Sequence, residues 1–458
     1  MSTAVVLFTR DLRVHDQPAL AAACGEADRV VPLFVLDEAI LGSRYANPNR
    51  LTHLVAALTD LRQHLRERGG ELVVRRGDPL EELRAVVVEV AAEAVHLSAD
   101  VSAYARRREE GIRTLARDLD HPVEVHAHPG ITAIPPGDVA PSSGDHFKVF
   151  TPYWRRWVEA PHRSPEPPPD RVRLPDGLDV GDVPELRELT DRAPAPDLQP
   201  GGEVAARQRA AWWFDGPIED YEDGRNDLAA DATSKLSAHL HLGTLSVAEL
   251  LANIDRRMQG HETFAQELCW RDFNHQLLAA RPDLPRADIR TQHDRWRDDP
   301  EAFAAWQEGR TGYPIVDAGM RQLQREGWMH NRARMIVASF LTKHLYVDWR
   351  LGAWHFMDHL VDGDLANNFG QWQWMAGTGT DSRPNRMFNP VTQSERYDAR
   401  GVYVRRYVEE LADVDDAHVH APWEAKGSLF DDDGESDYPA PLVDHREARE
   451  RFLAARGR

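Results

Sequence analysis

The chain reads as two fold classes in succession: an α/β, doubly wound parallel sheet of Rossmann-like type, followed by a large all-α domain. Three observations predict this. Short Val- and Leu-rich runs alternate with helical patterns over the first 130 residues, as a parallel sheet covered on both faces requires. Beyond residue 201 the apolar period is helical almost throughout, with few β-branched runs. Between them, Pro135-Pro136, Pro161, Pro165, Pro167-Pro168-Pro169, Pro194, Pro196 and Pro200 punctuate a surface linker over residues 131–200. A chain of 458 residues is too long for one ordinary core, so domains are expected at 1–130 and 201–458.

In the first domain, strands are expected at residues 4–8, 30–36, 72–75, 94–97 and 123–126. Helices are expected at 51–68, which Gly69-Gly70 stops, and at 80–92. No Gly-x-Gly-x-x-Gly follows the first strand, so a dinucleotide clasp of the usual kind is not supported. The linker carries a short helical pattern at 153–159. The chain has no internal repeat, and beyond about residue 421 it turns acidic and proline-dotted, which reads as partly disordered.

Composition removes several function classes. A net charge of −20 argues against nonspecific coating of DNA, which needs basic surface. The charge is uneven, however. An acidic tail starts at about 409: Glu409, Glu410, Asp413, Asp415, Asp416, Asp431, Asp432, Asp433, Glu435 and Asp437 crowd together, with Lys426 the only Lys or Arg up to Asp437. Just before it, Arg383, Arg386, Arg396, Arg400, Arg405 and Arg406 face only Glu395 and Asp398. Taken alone, such a run is also what solvated surface looks like.

No apolar stretch approaches the roughly 20 residues of a membrane span. Met1-Ser2-Thr3 followed by Val5-Val6-Leu7-Phe8 reads as a first strand rather than a leader, so a cytoplasmic chain with no membrane partner is expected. Two cysteines, Cys24 and Cys269, exclude a disulfide framework, a zinc finger and a four-cysteine cluster. Buried thiols are the plain reading.

Four segments of the helical domain carry candidate chemistry. Tyr221-x-x-x-Arg225 precedes Thr233-Ser234-Lys235-Leu236-Ser237, where hydroxyls and backbone N–H groups at a helix start suit a phosphate; an ordinary helix cap would look the same. In the second, Glu267, Trp270, Arg271 and Asn274 fall at i, i+3, i+4 and i+7 and share one helix face, while Leu268 and Phe273 point elsewhere. A carboxylate, a π-surface, a guanidinium and an amide together suit stacking on a base and bonding its edge; a solvated salt-bridge stripe is the competing reading. The third, Gly327 to Met335, puts Asn331, Arg334 and Met335 on one face. The fourth runs from Asp362-Gly363-Asp364 through Asn367-Asn368 to Trp372-Gln373-Trp374. Its paired Asp residues raise the question of a metal, but further oxygen ligands are missing and no metal is expected.

Taken together and in order, these segments resemble the photolyase/cryptochrome family, in particular its class I branch acting on cyclobutane pyrimidine dimers. The resemblance rests on Asp-Gly-Asp-Leu-Ala-x-Asn (362–368) with Trp372-Gln373-Trp374, His330-Asn331-Arg332-x-Arg334-Met335, Thr-Ser-Lys-Leu-Ser (233–237) and Glu267-Leu268-x-Trp270-Arg271. Thr-Gly-Tyr-Pro-Ile-Val-Asp-Ala (311–318), Arg386-x-Phe388-Asn389-Pro390 and Phe8-Thr9-Arg10-Asp11-Leu12-Arg13 extend it over nearly the whole chain. Each motif alone is modest; their ordered conjunction is highly specific.

The resemblance implies light-driven repair of pyrimidine dimers by reduced FAD, with damaged DNA as partner and a monomeric protein. Tyr221, Thr233, Ser234, Lys235, Leu236, Ser237 and Phe264 would hold the FAD, continued by Asp362, Gly363 and Asp364, with Arg334 paired to Asp362. Asn368 would face the flavin N5. Trp296, Trp349 and Trp372, on separate helices, would form the chain that photoreduces the flavin. Glu267 would hydrogen-bond the dimer bases, Trp270 and Trp374 would wall the pocket, and Asn331 and Met335 would lie beside the dimer, with Asn274 on the same DNA-facing side. Arg225, Arg271, Arg332 and Gln393 would contact the strand.

The resemblance leaves a rival, a cryptochrome that signals without repair. Plant cryptochromes place Asp where Asn368 stands, and relatives acting on the (6-4) lesion place a second His where Asn331 stands; both features here favour the cyclobutane dimer. Folate-using relatives have an Asn-Glu pair where this chain has Tyr104-Ala105. With Asp100 and the loop 98–104, that departure favours a deazaflavin antenna over folate, with an empty antenna pocket as the equal alternative.

Overall fold

The computed structural model describes residues 1–424 and 438–457. Five parallel strands, β1 (Thr3–Phe8), β2 (Arg29–Asp37), β3 (Val73–Gly77), β4 (Ala94–Ser98) and β5 (Glu124–His128), lie in the order β3-β2-β1-β4-β5. Each expected strand is present with its bounds shifted by one or two residues. Period-two alternation sorts β1 onto both faces. Ala4, Val6 and Phe8 join one core with Leu20, Leu58 and Leu61, while Val5 and Leu7 join a second with Leu83, Val86 and Ile112. The first core is closed by helices Pro18–Glu26 and Pro48–Glu67, the second by Pro79–Glu89 and Ala103–Asp118.

Two of those helices had no expectation. Pro18–Glu26 is short, with Gln17 as its N-cap, and Ala103–Asp118 buries only Ala105, Ile112 and Ala116 beneath a run of charges, too few to set a period.

The linker is fastened at both ends rather than passing loosely over the surface. The amides of Val30 and Val74 donate to Arg173 O and Val180 O at 2.8 Å each, so residues 172–181 strap the β2–β3 edge. Helix Phe150–Glu159 begins three residues before its expected start and buries Tyr153 and Trp157 in one core with Phe264, Leu268 and Phe273. Asp272 completes the joint. It accepts from Trp157 Nε1 at 2.9 Å, Ile134 N at 3.0 Å and Ala133 N at 3.3 Å. Burial raises its pKa to about 6 against the pull of Arg271.

From Gly202 the described residues are helical with no strand. Helices Gln259–Ala280, Asn331–Ser339, Trp349–His359 and Leu365–Ala376 surround a core built on Phe340, Trp349, Phe369 and Trp372. The expectation of disorder after residue 421 fails at its far end. Helix His445–Ala455 buries Ala448 and Phe452, and Tyr438 Oη donates to Asp317 Oδ2 at 2.5 Å. The acids Asp431 to Asp437 lie outside the described residues. Among the described residues no helix is long and apolar enough to cross a membrane, and Cys24 and Cys269 are free thiols.

Candidate flavin and DNA-lesion cleft

One cleft of about 410 Å³ lies within the helical domain, inside the range of roughly 300–1,000 Å³ usual for small-molecule sites. Its lining gathers residues more than 150 positions apart: Tyr221, Thr233 to Ser237, Phe264, Glu267, Trp270, Arg271, Asn274, Asn331, Arg334, Met335, Asp362, Asp364, Asn368, Trp372 and Trp374. The i, i+3, i+4, i+7 set of helix Gln259–Ala280 thus does share a face, as does the set Asn331, Arg334 and Met335. Leu268, expected to point away, also lines it, together with Leu240, His241, Trp328, Met329, Ala338, Phe356, Asn367, Gln371 and Met375. Leu240, Ala338, Phe356 and Met375 gave no signal, because a lining apolar side chain reads like a core one.

The hydroxyl segment is turned towards the cleft by its backbone. Arg209 donates to Ser234 O at 2.7 Å and Thr233 O at 2.8 Å, which fastens the outer side of the turn. Lys235 adopts φ +52°, a left-handed conformation costly for a residue with Cβ and found where surroundings enforce it. Its Nζ pairs with Asp231 Oδ2 at 2.9 Å and lies 5.0 Å from the centre of the Trp328 ring. Trp328 Nε1 in turn donates to Ser237 Oγ at 3.2 Å.

The carboxylates are held apart in role. Arg334 Nη2 donates to Asp362 Oδ2 at 2.8 Å, the pair that the resemblance implied. Asp364 caps helix Leu365–Ala376, accepting from the Asn367 amide at 2.9 Å, and receives Arg10 Nη1 at 2.7 Å from the end of β1. Burial opposes its charge, but His275, Arg10 and Arg271 hold Asp364 well below the usual carboxylate range. Arg10 Nε also binds Asp100 Oδ2 at 3.0 Å, so Asp100 is engaged between the domains and not free in the loop 98–104. Tyr104 donates to Asp37.

Among the described residues that line the cleft, two buried oxygens find no partner: Thr233 Oγ1 and Asp362 Oδ1. Such orphans are rare in a finished core. At this place they fit a polar group with hydroxyls and phosphates, as a flavin nucleotide has.

Around the remaining wall, Trp270 stacks face to face on Phe150 of the linker helix, with centroids 3.7 Å apart and planes 3° from parallel. Phe150 was not foreseen from the sequence, since it precedes the expected linker helix. Glu267 receives Arg225 Nη1 at 3.1 Å and keeps 35% of its side chain exposed. The recess pushes its pKa up, opposed by Arg225. Asn368 donates to Ala353 O at 2.9 Å, leaving an amide hydrogen and Oδ1 for the cleft.

Several expected roles change. Arg271 is buried and donates to Ile131 O at 2.5 Å; it ties the linker to the helix and has no reach to a strand outside. Arg225 gives one guanidinium nitrogen, Nη1, to Glu267 and keeps 35% of its side chain exposed. Gly363 is absent from the lining; a Cβ there would lie 2.4 Å from Arg50 Nη1, so the glycine leaves room for Arg50. Asn274 is buried, donating to Asn367 Oδ1 at 3.1 Å. Gln393 lies half-buried on helix Pro390–Tyr397, outside the lining. Arg332, also outside it, binds Asn226 Oδ1 at 2.6 Å and stacks on Tyr397 at 4.4 Å.

The tryptophans run outward. Trp372 lines the cleft, Trp349 is fully buried, and Trp296 is partly exposed against the same core. Trp296 sits on the extended segment before Pro300, not on a helix, held beside Tyr346 at 5.1 Å. Trp306, not singled out from sequence, lies 6.1 Å from Trp372.

Comparison with known proteins agrees with this geometry. Residues 4–171 match the family described as DNA photolyase and residues 264–458 match the FAD binding domain of DNA photolyase. A deoxyribodipyrimidine photo-lyase of Streptomyces griseus is 53% identical over 460 residues, covering 100% of both chains. The crystal structure of a bacterial class III photolyase from Agrobacterium tumefaciens superposes with a TM-score of 0.92 at 36% identity, covering 100% of this chain and 97% of that one. A cryptochrome structure from Synechocystis superposes with a TM-score of 0.90 at 27% identity, covering 99% of each.

Proposed function

Because this chain belongs to the photolyase/cryptochrome family, we propose that it repairs cyclobutane pyrimidine dimers in DNA in a light-dependent, FAD-requiring reaction. The observation that carries the reading is one cleft whose lining joins a hydroxyl-and-carboxylate rim, with two orphaned oxygens, to an aromatic, amide and carboxylate wall. Reduced FAD, when bound, supplies on excitation the electron that opens the cyclobutane ring. The chain's own residues do the rest.

On this reading Thr233 to Ser237, Tyr221 and Phe264 bind the cofactor, and Asp362, fixed by Arg334, accepts from it. Trp270 and Trp374 exclude water and stack on a lesion that is poorly stacked in the duplex and inexpensive to extrude. Glu267 and Asn331 address the polar edges of the bases, where charge develops in the reaction. Burial favours the protonated Glu267, a donor, and Arg225 favours the carboxylate; the pair sets how readily a proton sits at Glu267 Oε1. Trp372, Trp349 and Trp296 offer a stepwise route from cleft to surface for restoring the reduced cofactor. Arg332 and the Arg383–Arg406 region supply local positive charge to a chain of net charge −20, holding phosphates while the cleft reads the lesion.

The finer readings belong with this proposal. The chain divides at 1–130, 131–200 and 201–458, acts as a monomer in the cytoplasm and belongs to the class I branch. A second, antenna chromophore, where one is bound, is a deazaflavin rather than a folate, for which Tyr104-Ala105 is the support.

One experiment tests the whole. Purified protein is examined by absorption spectroscopy, then reduced and illuminated with an oligonucleotide carrying one thymine dimer. Flavin absorption with restoration of the thymine spectrum is expected. A flavin-loaded protein that leaves the dimer intact overturns repair and favours the cryptochrome reading.

A further inference from the structure

At the edge of the sheet farthest from β3, three histidines face one helix end. Register pairs His96 of β4 with His126 of β5, and His128 follows two residues on, on the same face of β5. The rings of His96 and His126 stack at 4.8 Å, those of His96 and His128 at 5.2 Å. Glu26, the last residue of helix Pro18–Glu26, comes down over them. One atom from each of Glu26, His96 and His126 lies within 4.8 Å of the others.

Burial does not explain this cluster. His96 is 0% exposed, yet its Nε2 has no hydrogen-bond partner. It stands 3.7 Å from Glu26 Oε2, too far for a hydrogen bond. On its other side, His96 Nδ1 and His128 Nε2 are 3.0 Å apart. In the tautomer in which His96 Nδ1 donates to His128 Nε2, the Nε2 lone pair points at the Glu26 carboxylate, and two acceptors face each other across a gap. A cation between them removes that conflict. The partner on the far ring nitrogen is also what fixes a metal-binding histidine in the right tautomer. Glu124 Oε2 lies 3.1 Å from His126 Nε2 and orients the second imidazole in a similar way.

We propose that Glu26, His96 and His126 bind a borderline divalent ion, zinc by preference, with a water in the open position. Two imidazoles and a carboxylate suit zinc over magnesium or calcium. Zinc–ligand bonds of about 2.0–2.2 Å separate tetrahedral ligands by roughly 3.3–3.5 Å, so the existing spacing closes by small side-chain rotations. Glu26 and His126 are partly exposed, which gives the ion its path. No sequence spacing announces the site, because its ligands come from a helix end and from two strands that lie 70 and 100 residues further along the chain. The ion fastens the helix end to an edge strand, at the far side of the sheet order from β3.

The test uses the flavin-loaded full chain, stripped with chelator and titrated calorimetrically with zinc chloride. One zinc per chain with micromolar affinity or better is expected, with no heat from millimolar magnesium. Glu26→Gln and His126→Ala each weaken binding about tenfold or more, with flavin content unchanged. A wild-type chain that takes up no zinc, or a double variant that keeps the same stoichiometry and affinity, overturns the proposal. X-ray absorption on the one-zinc wild type decides independently of any variant: two imidazoles with oxygen neighbours support it, and sulfur or an all-oxygen shell sinks it.

Discussion

At the scale of single residues, the cleft was legible where helical spacing carries the information. Glu267, Trp270, Arg271 and Asn274 could be placed on one face by counting, and the structure puts all four in one lining. Counting could not say which of them face outward, since that depends on what packs above. Arg271 is claimed by Ile131 O and Arg225 by Glu267, both long-range events. Glu267 therefore depends on Arg225 as well as on the lesion. A hydrogen bond to developing charge contributes about 1.5–3 kcal/mol, so Glu267→Ala is expected to slow dimer opening by about tenfold or more. Flavin content stays the same. Flash photolysis on reduced protein with a thymine-dimer oligonucleotide checks this, and an unchanged splitting yield would remove Glu267 from the reaction. For Asp362→Asn the reverse pattern is expected: the Arg334 pair is lost, flavin content falls, and the flavin that remains splits dimers normally.

Elements show why the linker was the least legible part. Its prolines say only that no long helix crosses it, and they hide two tasks performed by residues far apart in sequence. Phe150 backs the Trp270 ring, and Asp272 gathers Trp157 Nε1 with the amides of Ala133 and Ile134. Asp272→Ala leaves three buried donors unpaired at roughly 1–3 kcal/mol each, offset in part by removing a carboxyl whose charge burial disfavours. A net loss of about 3 kcal/mol is expected, read as a lower urea midpoint with unchanged slope; an unaltered midpoint would mean that the linker is not fastened there. Helices Trp349–His359 and Leu365–Ala376 make a second such joint. The Trp372 ring lies against Gly352, where a Cβ would come within 2.3 Å of it, and that close approach puts Trp372 next to the helix that starts at Trp349. Trp372→Phe is expected to slow photoreduction of oxidised flavin while sparing repair by chemically reduced protein. Transient absorption separates the two, and normal photoreduction would direct attention to Trp306 instead.

For the whole molecule, the sheet was readable because period-two runs of Val and Leu are unambiguous when buried on both faces. The joint between the domains was not. It is made of charges, Arg10 with Asp100 and Asp364, and of Arg50 donating to Leu360 O at 2.7 Å, residues with no periodicity to betray them. A large interior of this kind also traps neutral histidines, with a consequence for pH. Burial lowers the pKa of His275 and His330 to about 4 and that of His355 to about 3. The unfolded chain takes up these protons near the ordinary value of about 6.5, so between about 6.5 and 4 it binds more protons than the folded one. The stability these sites contribute is complete above that window and falls as pH drops through it. At pH 5 a histidine shifted from about 6.5 to about 4 costs about 2 kcal/mol. Asp364 is held well below the carboxylate range and Glu203 near 2, so neither titrates in this window. His64, raised by Glu203, works in the opposite direction and offsets a part. Asp272, which burial raises to about 6, takes up its proton in the folded state within this window and offsets a further part. The thermal midpoint is therefore expected to drop by roughly 5 °C between pH 7.5 and pH 5.0. His355→Gln, which removes one such site, should make that slope shallower; a midpoint that stays level from pH 7.5 to pH 5.0 in the parent protein would show that these histidines are not held neutral by the fold.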